Sequence, residues 1–171
     1  MLIRAINTND YQRINDLIFD AFSNTQHGYN DENELVERLR LEDNYSQQLE
    51  LVVTENERLL GHGLLSPIQI ADNQDGLVMA PLEVATDAQR QGIGARLIKA
   101  LELRACAAGY TYISVLGHAE YYPKFGYLPA REYGITAPFA VKDELFMIKE
   151  LVTGVLSNVR GTLQYSDAFN L

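Results

Sequence analysis

The sequence has little cysteine, tryptophan and proline. Its 171 residues include one Cys, no Trp and five Pro. A single cysteine excludes an internal disulfide, and a chain of this length can bury a sufficient core without one. No apolar run approaches the ~20 residues that a membrane-spanning helix needs, and the first residues lack the apolar segment of a signal peptide. We therefore expect a cytoplasmic protein with no membrane partner.

Basic residues are also scarce. Fourteen Lys and Arg stand against 23 Asp and Glu, which gives a net charge of −9. Proteins that bind nucleic acids usually present a basic face to the phosphates, so a nucleic-acid partner is not expected. The length suits one domain of about 100–200 residues. We expect a single domain over residues 1–171, with a core of about 1–130 and a C-terminal strand and extension over 131–171.

Apolar patterns alternate between strand and helix periodicity along the chain. A capping box at Asn9 and Gln12 predicts the start of the first helix, and Gly109 is well placed to end the third helix in a left-handed conformation. This alternation is typical of a mixed α/β (α+β) fold, with a sheet flanked by helices. Strands are expected over 2–6, 49–55, 58–71, 77–84, 110–116 and 145–151, and helices over about 9–22, 31–42 and 93–108.

A glycine-rich turn, Gln89-Arg90-Gln91-Gly92-Ile93-Gly94, separates a strand from the long third helix. Backbone N–H groups and the helix dipole favour an anion at such a place. The dinucleotide fingerprint and the P-loop are both excluded, because Leu97 stands where the first needs glycine and Ala95-Arg96 where the second needs Lys-Ser/Thr. The local charge also suits a phosphorylated ligand. Four basic residues lie within 15 positions: Arg90, Arg96, Lys99 and Arg104.

Two motifs follow each other along the chain. The first is Leu82-Glu83-Val84 followed by the turn from Gln89 to Gly94, and the second is Tyr122-Pro123-Lys124-Phe125-Gly126-Tyr127. In this order they resemble the motifs of the GNAT superfamily of N-acetyltransferases. The pair Tyr121-Tyr122 before Phe125-Gly126 is similar to a bacterial subgroup of predicted acetyltransferases. The resemblance implies a mixed, mostly antiparallel central sheet flanked by helices, with a splay between the fourth and fifth strands.

The resemblance also implies an activity. It indicates an acetyl-CoA-dependent N-acetyltransferase that transfers an acetyl group to a primary amine of a small molecule or peptide, by direct attack in a ternary complex. The expected partners are a CoA thioester as co-substrate and an unidentified amine acceptor, with no metal; a homodimer is compatible with it. The alternative is a non-catalytic acyl-CoA-binding sensor or interaction module.

By the same resemblance, the pyrophosphate of CoA is expected on the N–H groups from Gln91 to Ala95, with charge from Arg90 or Arg96. The pantetheine arm is expected to hydrogen-bond the backbone at the strand end near Val84, as an added strand would. Such pairing uses backbone groups and needs no particular side chain. The residues expected to bind the cofactor are Leu82, Val84, Gln89, Arg90, Gln91, Gly92, Ile93, Gly94, Ala95 and Arg96.

Acetyl transfer to an amine needs a proton donor and a proton acceptor. Tyr122 matches the tyrosine of the family motif and is expected to be the general acid, since a phenol keeps its proton at pH 7. For the base, Glu83 and His118 remain open, with Glu120 beside them. Glu83 alternates with Leu82 and Val84, whereas the bases of the family often lie on the opposite face or earlier in the strand. A β-bulge could bring Glu83 to the face of the base, and otherwise it is a polar residue on the other face of the sheet.

By the same resemblance, acceptor specificity is expected to come from the loop over residues 23–30 and from the segment after Gly126. In that loop His27 and Tyr29 are candidates for lining the acceptor pocket, and the alternative is a polar surface loop. His62 lies within a strand pattern and is expected to be structural.

Overall fold

The computed structural model describes residues 1–23 and 31–171. Within those ranges, short 3-10 turns join the helices and strands, and no helix is both long enough and apolar enough to cross a membrane. The helices are α1 (Tyr11–Ser23), α2 (Glu32–Arg40) and α3 (Ile93–Ala107). The strands are β1 (Leu2–Ala5), β2 (Glu50–Glu55), β3 (Arg58–Ile70), β4 (Asn73–Val84), β5 (Tyr112–Leu116), β6 (Leu128–Pro129), β7 (Ile135–Thr136), β8 (Phe146–Glu150) and β9 (Gly161–Gln164).

The strands hydrogen-bond in the order β1-β2-β3-β4-β5-β8-β6, and β9 pairs with both β3 and β7. The pairs β1–β2, β2–β3, β3–β9, β5–β8 and β6–β8 are antiparallel, whereas β4–β5 and β7–β9 are parallel. The predicted mixed, mostly antiparallel sheet is therefore confirmed. The ladder between β4 and β5 joins Gly76–Val78 to Tyr112–Ser114, and β4 continues beyond it to Val84.

The chain forms two compact units. The first comprises residues 1–65 and 81–104, and the second comprises residues 66–80 and 105–171. In the first unit, α3 packs closely on one face of the strands because two glycines of β3 leave room for it. A Cβ at Gly63 would lie 2.8 Å from Cδ1 of Leu101, and one at Gly61 would lie 3.2 Å from the Ile93 side chain. The face of β3 opposite α3 therefore carries the side chains that alternate with these glycines.

The core of the second unit is built on β5, β8 and the C-terminal segment. Its buried apolar residues include Ile70, Tyr112, Ile135, Ile148, Leu156 and Leu163. The prediction of one clear strand after residue 126 is incomplete, since β6, β7 and β9 also form there. Two of these strands are only two residues long, too short for an alternating pattern to be detected.

Of the two helix ends predicted from local sequence signals, one is confirmed and one is wrong. Gly109 has a φ of +89° after α3, as predicted. The capping box is not the predicted pair Asn9 and Gln12, because it forms at Asn7 and Asp10 instead. The Asn7 side chain accepts from the Asn9 N–H at 3.0 Å, and the Asp10 carboxylate accepts from the Asn7 N–H at 2.9 Å. A 3-10 turn precedes α1, and this turn moves the cap two residues upstream of the predicted position.

Candidate active site

The turn from β4 into α3 places two residues in the left-handed backbone region. Arg90 has a φ of +62° and Gly92 a φ of +79°. A Cβ added at Gly92 would meet nothing within 4 Å, so glycine is required there for its backbone conformation and not for space. A non-glycine residue such as Arg90 pays about 1–2 kcal/mol for this conformation. Strain of this kind concentrates where a ligand is bound.

Side-chain amides hold this turn in shape. Gln89 Nε2 donates to the Val84 carbonyl at 3.3 Å, and Gln91 Nε2 donates to the Asp87 carbonyl at 3.3 Å. Ile93 is buried at the start of α3 and fixes its first turn, which also contains the half-buried Gly94 and Ala95. The first N–H groups of a helix have no partner within the helix. They therefore form a ready anion site at this end of α3.

The four basic residues of the predicted cluster differ in exposure and in the groups that they contact. Arg90, Arg96 and Lys99 are exposed, and the Arg96 guanidinium lies 3.4 Å from the sulfur of Met1. Arg104 donates from Nη1 to Oε1 of Gln48 at 2.6 Å. The acceptor on Gln48 is a neutral amide, so Arg104 keeps its positive charge.

Glu83 lies on the face of the strands opposite α3. Its neighbour Leu82 approaches α3, since the Leu82 side chain is 3.1 Å from a Cβ built on Gly63. Glu83 alternates with Leu82 and contacts His62, which alternates with Gly61 and Gly63 in the same way. Ordinary strand alternation therefore accounts for the facing of Glu83.

Glu83 ends a buried chain of ionisable groups in the first unit. His62 bridges two carboxylates: its Nδ1 is 2.5 Å from Oε1 of Glu83, and its Nε2 is 2.9 Å from Oε1 of Glu50. Glu50 is also bound by the guanidinium of Arg40, and its Oε2 accepts from the Tyr45 hydroxyl at 2.6 Å. Glu50, His62 and Glu83 are all buried. We call these five residues the buried array.

Burial and pairing shift the pKa values of the buried array. Burial alone would raise the pKa of Glu50, but hydrogen bonds from His62 and Arg40 outweigh it and lower the pKa to about 2. Burial alone would lower the pKa of His62, but attraction to Glu83 and hydrogen bonds with both carboxylates raise it to about 9. Burial raises the pKa of Glu83, and attraction to His62 opposes that rise.

The second unit holds Tyr122 in a close-fitting site. Its ring meets Tyr121 and Tyr127 edge to face, with ring centroids 5.3 Å and 5.7 Å apart. Gly117 lies directly against the ring, since a Cβ there would be 2.2 Å from Cε2 of Tyr122. His118 is exposed just after β5, and its carbonyl accepts from the N–H of Tyr121 at 3.0 Å.

Sequence reasoning singled out the turn, Glu83 and Tyr122 as candidates, and it did not consider the buried array as a group. His62, expected to be merely structural, is the centre of that array, and Glu50 and Arg40 were not considered at all. A usable signal was present: Glu50 and His62 are each the ionisable residue within a stretch that otherwise lacks polar side chains, over residues 49–53 and 59–65. His27 and Tyr29 lie outside the described residues. Within the described ranges, no group of His, Cys, Asp and Glu has the arrangement to hold a metal ion.

Comparison with known proteins identifies the family. The family model described as acetyltransferase (GNAT) family matches residues 11–127, which include both the glycine-rich turn and Tyr122. The chain belongs to the GNAT family. This GNAT protein is accordingly an enzyme of the acyltransferase class. The resemblance stated from its two motifs is confirmed at the level of the family.

Individual relatives support the same assignment. The chain is 32% identical over 125 residues to the uncharacterized N-acetyltransferase YjhQ of Escherichia coli K12, covering 68% of this chain and 67% of YjhQ. The crystal structure of YhbS from Escherichia coli in complex with CoA superposes with a TM-score of 0.89, at 26% identity over 99% of this chain and 92% of YhbS. A GNAT acetyltransferase from Brucella melitensis in complex with acetyl-CoA gives a TM-score of 0.81, at 25% identity over 98% and 97% of the two chains.

Proposed function

We propose that this GNAT protein is an acetyl-CoA-dependent N-acetyltransferase that acetylates a primary amine of a small molecule or peptide by direct attack in a ternary complex. The observation that carries the proposal is the left-handed turn at Arg90 and Gly92, which opens the 15-residue helix α3 in a chain similar over nearly its whole length to CoA-bound YhbS. We further propose that it works in the cytoplasm and belongs to the bacterial subgroup with a Tyr-Tyr-x-x-Phe-Gly motif.

The proposed site for CoA is the turn and the first turn of α3. Backbone N–H groups from Gln91 to Ala95 bind the pyrophosphate, and Arg90 or Arg96 adds positive charge. The pantetheine arm pairs with the backbone near Leu82 and Val84 as an added strand. Support for this arrangement comes from the exposure of Gln89, Arg90 and Gln91 around a fixed backbone.

The proposed reaction begins with a protonated amine, because alkylamines have pKa values of about 10. Glu83 takes one proton, and the free amine attacks the thioester carbonyl carbon. A carbon–nitrogen bond forms, the carbon–sulfur bond breaks, and CoA leaves as a thiolate. Tyr122 protonates that thiolate and regains a proton from the attacking nitrogen through solvent, so the products are an amide and free CoA. His118 is the other proposed base, and its exposure allows exchange with water.

Replacement of Tyr122 by Phe tests the proposed acid. The Tyr122→Phe variant keeps the ring that packs on Tyr121 and Tyr127 but removes the hydroxyl. General acid catalysis contributes about 10²–10⁴-fold, so we expect kcat to fall by at least tenfold with an unchanged Kd for CoA. An unchanged kcat removes Tyr122 from the mechanism.

The function itself is tested by measuring free thiol after the protein is mixed with acetyl-CoA and a panel of cationic and neutral amines. Turnover with at least one primary amine, together with the acetylated product by mass spectrometry, is the expected result. Binding of CoA, measured by calorimetry, without turnover across the panel would contradict the proposal and favour an acyl-CoA sensor.

A further inference from the structure

The buried array goes beyond what binding of CoA requires. It lies within the first unit and takes one ionisable residue from each of three strands: Glu50 from β2, His62 from β3 and Glu83 from β4. The register of β2 and β3 pairs Val52 with His62. Glu50 therefore shares the His62 side of the sheet, because alternate residues of a strand face the same way. Buried charges are costly unless paired, so this grouping calls for an explanation.

With Glu50 and Glu83 both ionised, the hydrogen-bond pattern sets the protonation of His62. An ionised carboxylate only accepts hydrogen bonds, whereas a neutral imidazole donates from one nitrogen alone. Both nitrogens of His62 face carboxylate oxygens, at 2.5 Å and 2.9 Å. The arrangement is satisfied when His62 is an imidazolium that donates to Glu50 and to Glu83. The cations Arg40 and His62 then balance the two carboxylates.

The two carboxylates have unequal surroundings. Glu50 is bound at both oxygens, by His62, Arg40 and Tyr45. Glu83 is bound at Oε1 alone, and its buried Oε2 has no hydrogen-bond partner in residues 1–23 and 31–171. A buried carboxylate oxygen left without a partner costs about 1–3 kcal/mol, more where it is charged. Such an atom is the natural place for an incoming proton.

We propose that His62 is a positioning residue for acetyl transfer: held by Glu50, it fixes the Glu83 carboxylate so that Oε2 takes the proton of the amine acceptor. The proton goes from the ammonium nitrogen to Oε2, directly or through one water, and the amine keeps the electron pair that attacks the thioester. The proposal rests on the proposed function, and it adds His62 and Glu50 to the residues on which that function depends.

Other charged and titratable groups face the array. Arg40 is stacked over the ring of Tyr11 from α1, with its guanidinium carbon 4.0 Å from the ring centroid. Glu32 of α2 contributes a repulsion that raises the pKa of Glu83, after the larger effects of burial and of His62. Among these groups His62 is the cation in direct contact with Glu83. Removing its charge therefore has a predictable sign: the pKa of Glu83 rises further.

The experiment begins with wild-type turnover, since an inactive wild type refutes the proposed function and not the role of His62. With an active wild type, the His62→Gln variant keeps a hydrogen-bonding side chain that cannot carry charge. We expect kcat/KM at neutral pH to fall by at least tenfold and the acid limb of its pH profile to move to higher pH. The Kd for CoA is expected to stay unchanged.

A matched control separates positioning from general destabilisation. Asp10 is buried and bound by both terminal nitrogens of Arg4, at 2.6 Å and 2.9 Å, in the same unit as the array. The Asp10→Asn variant also weakens a buried ion pair, and we expect its pH profile to match that of the wild type. A His62→Gln profile with an unmoved acid limb, or an equal shift in Asp10→Asn, overturns the proposal.

One further measurement holds even where His62→Gln folds poorly, and a second applies where that variant is folded. The chain has three histidines, so ring ¹⁵N NMR of the wild-type protein can follow His62. We expect a titration midpoint near 9, displaced to lower pH in Glu83→Gln. Titration at an ordinary pKa, unaffected by Glu83→Gln, refutes the coupling. In addition, adding His62→Gln to Glu83→Gln is expected to cause no further loss of kcat, and a multiplicative loss would show that His62 acts independently of Glu83.

Discussion

Replacing Gly117 with alanine is expected to displace the proposed acid, Tyr122, without removing any of its atoms. The new Cβ would lie 2.2 Å from Cε2 and 2.9 Å from Cδ2 of the Tyr122 ring. Carbon atoms in contact are about 3.5 Å apart at closest, so the ring has to retreat by roughly 1.3 Å. It cannot move freely, because Tyr121 and Tyr127 pack against it.

A displacement of about 1 Å at a reacting group can cost on the order of 10²-fold in rate. We therefore expect Gly117→Ala to lower kcat by about that factor and to leave the Kd for CoA unchanged. The assay is thiol release under saturating substrates, at a temperature where circular dichroism shows the variant folded. Gly117 has no left-handed φ, so the expected effect comes from the contact alone and not from backbone strain.

Gly76 supplies the matched control in the same unit. A Cβ there would lie 2.0 Å from Cε2 of Tyr112, which is a similar clash with a tyrosine that has no proposed part in the chemistry. Overpacking of this kind costs roughly 1–3 kcal/mol, so both variants are expected to unfold at lower urea concentration. A fall in kcat is expected in Gly117→Ala and not in Gly76→Ala. A kcat within twofold of wild type, or an equal loss in Gly76→Ala, would refute the reasoning.

Two further predictions concern stability. The pKa of Glu50 is lowered from 4.5 to about 2, so its contribution of roughly 3 kcal/mol to the free energy of unfolding is present above pH 4.5 and is lost as the pH falls towards 2. Urea unfolding at pH 6 and pH 3 is expected to show about 2 kcal/mol of that loss in the wild type and much less in Glu50→Gln, because part of the contribution remains at pH 3. The same difference between the two pH values in both proteins would be contrary to it; His62 is mostly protonated in the folded and unfolded states at these pH values. Gly92→Ala is expected to cost about 1–2 kcal/mol, because Gly92 has a φ of +79° and open space around it. Gly109→Ala, at a φ of +89° with open space, is the control and should lower the free energy of unfolding by the same amount. Only Gly92→Ala is expected to weaken CoA binding. An unchanged Kd for CoA in Gly92→Ala would count against the turn as the CoA site.

The sequence was most informative where a local pattern decides the structure. The turn into α3 was predicted from Gly92 and Gly94, since glycine before a helix favours a close backbone approach. The end of α3 at Gly109 was predicted for a similar local reason. The left-handed conformation of Arg90 was not predictable, because nothing in its side chain favours it. It is imposed by the turn as a whole, including the Gln89 amide bound to the Val84 carbonyl.

The C-terminal strands were missed for a different reason. β9 is short, and it is held by partners far along the chain: Gln164 pairs with Gln69, and Gly161 pairs with Ile135. Pairing of this kind depends on the rest of the sheet and leaves little periodicity of its own. The single strand predicted there, β8, is the one whose buried residues Phe146, Met147 and Ile148 make a continuous apolar run.

The side of the sheet on which Glu83 lies can be inferred when the patterns of neighbouring strands are compared. Within β4 alone, its alternation with Leu82 and Val84 leaves two faces open. In β3, however, His62 stands between two glycines that make room for a helix, so His62 must lie on the face opposite that helix. An ionisable residue buried there needs a charged partner, and Glu50 and Glu83 are those available in the adjacent strands. Three buried ionisable residues, one in each of three adjacent strands, therefore indicate their own grouping. The cation that completes it, Arg40, comes from α2, which no pattern within the strands predicts.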